Sequence, residues 1–174
     1  MVKCGEMWSK FLYIYSLHKI LMLNLVGTYE CKIDVKGRLM LPAVLKKQLA
    51  NVIAEGFILK RSVFSNCLEV HPMGEWSVLM SEVNKLNRFV KKNNDFIRLF
   101  TAGVKILDTD SNARIQIPKD LIRFAHISKK VVISCSVNMI EIWDKEQYEQ
   151  VLKDATSDFA DLAEEVMGNI EKED

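Results

Sequence analysis

The chain contains one pattern written twice. Asp34-Val-Lys-Gly-Arg38-Leu-Met-Leu-Pro42 returns 76 positions later as Asp110-Ser-Asn-Ala-Arg114-Ile-Gln-Ile-Pro118. Each copy reads Asp-x-x-x-Arg, then alternating apolar positions, then proline. A second block repeats at an offset of 72. Leu68-Glu69-Val70-His71 runs on to Glu75-Trp76, and Ile140-Glu141-Ile142-Trp143 runs on to Gln147-Tyr148. Two collinear blocks with a small change of offset mark a duplicated unit carrying one short insertion or deletion. Any fold for this chain must accommodate two similar halves.

Within each half the periodicity predicts strand, turn, strand, short helix and two further strands. The first set falls near 27–34, 38–41, 43–49 (helix), 57–61 and 67–70. The second falls near 103–109, 114–117, 119–125 (helix), 131–135 and 139–142. Pro42 and Pro118 open the short helices, where a missing N–H costs nothing. Gly37 supplies positive φ for the first turn, and Asn112 can take that part in the second. Such short strand sets cannot each bury a core. Pairing the halves into one closed barrel solves this and removes exposed edges. Two longer helices follow, near 74–93 and 145–168, the second with Asp144 as its N-cap. Their apolar stripes are expected to pack on the parent domain: Trp76, Leu79, Met80, Val83, Leu86 and Val90 in the first, and Tyr148, Val151, Leu152, Ala155, Phe159, Leu162 and Val166 in the second.

The net charge of +1 conceals an uneven distribution. Residues 1–21 carry +2. Residues 22–143 hold 18 Lys and Arg against 11 Asp and Glu, giving +7. Residues 144–174 hold 3 against 11, giving −8. A basic body with an acidic tail suits a polyanionic partner, although two solvated faces would produce the same numbers. The N-terminal segment resembles a signal peptide only weakly. His18 and Lys19 interrupt its apolar run and no small-residue cleavage site follows. It reads as an extension of the chain, with Met22 offering an alternative start. The Cys at 4, 31, 67 and 135 form no C-x-x-C pair. Cys31, Cys67 and Cys135 lie in apolar strand-like runs, the expected setting of buried free thiols in a reducing, cytoplasmic protein.

The recurring Asp and Arg carry the chemistry. Arg donates two parallel hydrogen bonds to guanine O6 and N7, or pairs with phosphate. Across a tight turn, the Asp four residues earlier can bond the guanidinium and fix its direction. Asp34–Arg38 and Asp110–Arg114 are thus candidate held arginines. By spacing alone they are equally plain structural salt bridges. Lys32, Lys36, Lys46, Lys47 and Lys60 are candidates for phosphate contact, each steepening the dependence on salt.

These motifs resemble the MraZ family of bacterial transcriptional regulators. The resemblance rests on Leu25-Val-Gly-Thr-Tyr-Glu30, the paired Asp-x-x-x-Arg blocks and Ile140-Glu-Ile-Trp-Asp144, and it covers about residues 22–155. It implies an α+β fold of two tandem AbrB/SpoVT-like swapped-hairpin repeats, paired into one β-barrel, with a linker helix and a C-terminal helix. The implied units are an extension at 1–21, repeat one with its linker helix at 22–94, repeat two at 95–155 and an acidic helix and tail at 156–174. It further implies a nucleoid-associated repressor of its own division and cell-wall operon, a ring-shaped homo-oligomer gripping direct repeats of double-stranded DNA. Arg38, Arg114, Lys36, Asn112 and Lys32 would bind DNA, with Asp34 and Asp110 orienting the arginines. No cofactor, metal, membrane or small-molecule substrate is implied. The family's glycine before the second arginine is Ala113 here, and residues 1–21 and the acidic end lie outside its pattern.

Two rivals come from other classes. An enzyme is disfavoured by the absence of Walker, GxGxxG, GxSxG and HExxH motifs. His71 and His126 have no Cys, Asp or Glu at ligand or triad spacing and read as surface or boundary residues. Asp108 and Asp110 lack a third carboxylate at metal-loop spacing. An AbrB-like interaction module, such as a toxin–antitoxin antidote, would normally carry one repeat and a disordered tail, whereas this chain has two repeats and a helical stripe reaching Val166.

Overall fold

The computed structural model describes residues 23–156 and 159–168. The N-terminal extension and the end of the acidic tail lie outside these residues. The first half contains β1 (Thr28–Lys32), β2 (Arg38–Met40), α1 (Ala43–Gln48), a 3₁₀ turn at Ile53–Glu55, β3 (Phe57–Arg61) and β4 (Leu68–Pro72), followed by α2 (Met73–Val83) and α3 (Lys91–Phe100). The second contains β5 (Lys105–Leu107), β6 (Arg114–Gln116), α4 (Lys119–Phe124), β7 (Lys130–Ser136) and β8 (Met139–Asp144), followed by α5 (Lys145–Thr156) and α6 (Phe159–Gly168). The strands and short helices fall where the repeat places them. Each of the three prolines stands immediately before a helix, its fixed φ setting the entry.

The halves interlock. An antiparallel sheet runs β1-β7-β8-β4-β3-β5, while β2 pairs with β6 in a separate ribbon. Exchanging the halves reverses the sheet order and leaves the pairings unchanged. The first strand of each half therefore pairs with the third strand of the other: Thr28 opposes Ser134, and Phe57 opposes Leu107. The core is shared in the same way. Leu39, Leu41, Leu45 and Leu49 are matched position for position by Ile115, Ile117, Leu121 and Ala125, all buried. Each large aliphatic side chain contributes roughly 1.5–3 kcal/mol of burial. Neither half has a core without the other.

The structure departs from expectation in four places. The hydrogen-bonded ladder does not close into a barrel, and β1 and β5 remain its edges. After the Asp34 turn, β1 and β2 diverge, linked by a single bridge between Ile33 and Leu39, because their ladder partners are β7 and β6. The helix expected over 74–93 breaks at 84–90. There Asn87 accepts the Phe89 N–H, and Asn93 and Asn94 donate their side-chain amides to the carbonyls of Asn87 and Arg88. Asparagine competes for the backbone in this way and ends helices. Its stripe packs only in part: Val83 is buried and Val90 exposed.

The helix expected over 145–168 is helical on both sides of residues 157–158, which lie outside the described set, as α5 and α6, but its stripe is placed differently. Asp144 accepts the Glu146 N–H at 3.0 Å, as an N-cap would. Tyr148 packs on Trp143, but Val151, Phe159, Leu162 and Val166 are exposed instead of packed on the domain. Among the described residues, no helix is long and apolar enough to cross a membrane. Cys31, Cys67 and Cys135 are free thiols. Cys67 is buried and the other two half-buried. Burial pushes the Cys67 thiol up to about 12, so it stays protonated at neutral pH.

Candidate nucleic-acid interface

The two turns share one hydrogen-bond pattern. In the first, Asp34 Oδ1 accepts the backbone N–H groups of Lys36 and Arg38, at 2.8 and 2.9 Å. Arg38 Nε donates to Asp34 Oδ2 at 2.7 Å. In the second, Asp110 Oδ1 accepts from Asn112 and Arg114 at 2.8 and 3.0 Å, and Arg114 Nε donates to Oδ2 at 2.8 Å. The arginine's backbone N–H does most to hold each aspartate below the usual carboxylate range. Desolvation opposes it and the guanidinium bond adds to it, so both carboxylates stay ionised at neutral pH. With Nε tied, the terminal nitrogens of each guanidinium make no hydrogen bond among the described residues.

The ribbon aims both arginines the same way. Arg38 stands opposite Gln116, and Met40 opposite Arg114. Leu39 and Ile115, between them, point inward at 0% and 1% exposure. Strand alternation therefore puts Arg38, Met40, Arg114 and Gln116 together on the outer face. The arginines are diagonal neighbours, with Cα atoms about 7–8 Å apart. Their side chains are 36% and 30% exposed, enough to meet a partner while remaining held. Lys32, Lys36 and Asn112 are exposed, the last two on the turns themselves. Lys46 and Lys47 are exposed on α1.

Three assignments are corrected. The residue with positive φ in the second turn is Ala113, at 55°, not Asn112. Ala113 takes the place of Gly37, at 81°, and both donate N–H to the carbonyl of the turn's aspartate. The missing glycine therefore leaves the turn's shape intact. Lys60 is no phosphate contact. It is fully buried, bonds Glu69 at 2.7 Å and lies over the Phe100 ring. His71, read as a boundary residue, is buried against the same carboxylate at 3.2 Å. Burial pushes Glu69 up, but the bonds from His71, Lys60 and Ser62 outweigh it and bring the carboxyl to about 2. The cluster lies beneath α2 and α3, and it braces the sheet. Among the described residues, no group of three or more His, Cys, Asp or Glu is placed to hold a metal.

The sequence reading also missed Gln116, whose amide donates to the Lys36 carbonyl and braces the first turn from the opposite strand. The second half's only signal was Gln where the first has Met40. The turns also cross-link the halves: Ile117 N–H donates to Gly37 O and Leu41 N–H to Ala113 O. A Cβ on Gly37 would lie 2.6 Å from Ile117 O. Gly37→Ala is accordingly expected to cost at least about 2 kcal/mol, from left-handed strain and this contact. Ala113→Gly should change stability by less than about 1 kcal/mol, relieved strain being offset by lost methyl burial and added chain entropy. Chemical denaturation of the two variants checks both.

These features define a class: a duplicated α+β protein in which the halves exchange strands and a shared ribbon presents two carboxylate-held arginines on one face. The chain belongs to the MraZ family. The family model described as "MraZ protein, putative antitoxin-like" matches residues 25–99 and again 100–170. A protein of Christiangramia forsetii named "Transcriptional regulator MraZ" is 64% identical over 148 residues, covering 85% of this chain and 96% of that protein. A Flavobacterium psychrophilum protein of the same name is 62% identical, covering 86% and 95%. One from Bacteroides thetaiotaomicron is 32% identical, covering 88% and 98%.

Proposed function

We propose that this chain is a sequence-specific DNA-binding transcriptional regulator, acting in the cytoplasm on the nucleoid as repressor of its own division and cell-wall operon. The observation that carries this reading is the shared outward face of Arg38 and Arg114, each locked by its aspartate. Guanidinium groups held in this way suit guanine edges in the major groove. Lys36 and Asn112 on the turns, and Lys32 beside the first, extend the contact, while Asp34 and Asp110 orient the arginines. The names of the relatives agree with this role. The units we propose are an extension at 1–21, swapped-hairpin repeats at 22–94 and 95–155, and an acidic end at 156–174.

One subunit offers a small contact, so a ring-shaped homo-oligomer gripping direct repeats supplies the affinity. Linking weak sites raises avidity by about 10²–10⁴ where geometry lets them engage together. In light scattering at micromolar concentration the protein is expected to be a symmetric assembly of more than four subunits; a monomer would remove the ring. Footprinting of the DNA upstream of the chain's own gene, at two salt concentrations, tests the reading as a whole. Regularly spaced protection that weakens with salt is expected. No protection at low salt would overturn it.

A further inference from the structure

The two turns share a backbone but not a chemistry. The first has Val35, almost fully exposed, and Lys36 at its tip; the second has Ser111 and Asn112. The surroundings differ more. Lys32, which leads into the first turn, faces Lys130 directly across β1 and β7, and the Lys129 carbonyl accepts the Ile33 N–H. Lys119 and Arg123 of α4 line a cleft of about 410 Å³ against Asp34, Val35 and Gly37. These five cations and Lys36 are exposed, and none forms an ion pair among the described residues. At the second turn, Asp108 occupies the place of Lys32 and packs near Gly56, next to Glu55.

Six uncompensated cations around one turn repel one another, and the Lys32–Lys130 pair opposes like charges across a ladder, which destabilises a sheet. Asp34 adds no opposing acceptor, since both its oxygens are bonded to the turn. A row of phosphates would relieve that repulsion. At the second turn the matching positions carry fewer cations, Lys47 for Arg123 but Ala43 for Lys119 and Asp108 for Lys32, and Asn112 offers the amide that pairs in two places with adenine N6 and N7.

Building on the DNA-binding reading above, in which both arginines face the bases, we infer that the groups around the two turns of a subunit divide the remaining work. The cleft of Lys119 and Arg123 beside the first turn seats backbone phosphate, and the second turn reads bases through Asn112 beside Arg114.

The test compares the full chain with three variants altered at exposed positions: Lys119→Ala/Arg123→Ala, the matched pair Lys46→Ala/Lys47→Ala on α1, and Asn112→Ala. Binding is titrated across salt with a duplex from upstream of the chain's own gene and with a random duplex of equal length. The first variant is expected to lose affinity for both duplexes by the same factor, about tenfold at low salt. Its slope of log affinity against log salt should shrink by about 0.9 for each phosphate released. The α1 pair should change the slope by less than half as much. Asn112→Ala should keep the slope and cut the ratio of upstream to random binding about tenfold. Equal slope changes in the two double variants, or an Asn112→Ala loss equal on both duplexes, would overturn the inference. If the parent binds the upstream duplex, Arg38→Ala abolishes that binding and Lys119→Ala/Arg123→Ala keeps the full slope, the division of labour falls and the DNA reading stands. If the parent retains neither duplex at low salt, both fall.

Discussion

Arg38→Ala is expected to lower affinity for the upstream duplex by about 1–3 kcal/mol for each engaged turn. In an assembly the losses combine, so specific retention should vanish when Arg114 is also replaced. Two effects add. The guanidinium fork is lost, and Asp34, still bonded to the turn's backbone, faces a polyanion without its counter-charge. Arg38→Lys separates them, because it keeps the charge but loses the two-pronged geometry. That variant should hold random DNA nearly as well as the parent and lose preference for the upstream duplex. Stability should change by no more than about 1 kcal/mol, since an exposed pair contributes little. Gel shifts and denaturation of the same preparations give both answers. Specific binding at parental strength by Arg38→Ala would show that the turn is not the reader.

The second large effect lies in the fold. Lys60→Met leaves the mostly enclosed Glu69 carboxylate with only His71 and Ser62 as side-chain partners, and should cost about 3 kcal/mol. Replacing both, as Lys60→Met/Glu69→Leu, should recover most of the loss, because an apolar pair needs no counter-charge. The cluster also sets a dependence on pH. The folded Glu69 carboxyl, at about 2, lies below its ordinary 4.5. Its contribution is therefore complete above about pH 4.5 and declines as the pH falls toward 2, amounting to roughly 3 kcal/mol in all. Denaturation midpoints at pH 7 and pH 3 should diverge for the parent and converge for the double variant. An unchanged pH response in the double variant would place the acid sensitivity elsewhere.

The repeat made the turns legible before any coordinates. Asp, Arg, the alternation after Arg and the closing proline are local signals, and local geometry obeyed them. The partners of each strand were not legible. Nothing in Arg38-Leu-Met40 says that it pairs with Arg114-Ile-Gln116 and not with the strand before it, because that choice is made by the shared core. Lys60 was misread for a related reason. It sits in a strand buried on both faces, where alternation no longer distinguishes inside from outside. Its burial depends on Glu69 across the ladder and on α3, which arrives about 30 residues later. Ala113 was misread because propensity favours Asn in the left-handed region, while the pattern of bonds to Asp110 fixes which residue must occupy it.

Because one rigid ribbon carries both arginines, their Cα spacing cannot adjust to the site they meet. At about 7–8 Å it matches roughly two base-pair steps of a duplex. A subunit is thus a ruler of fixed length, and any longer period in an operator has to be measured by the distance from one subunit to the next.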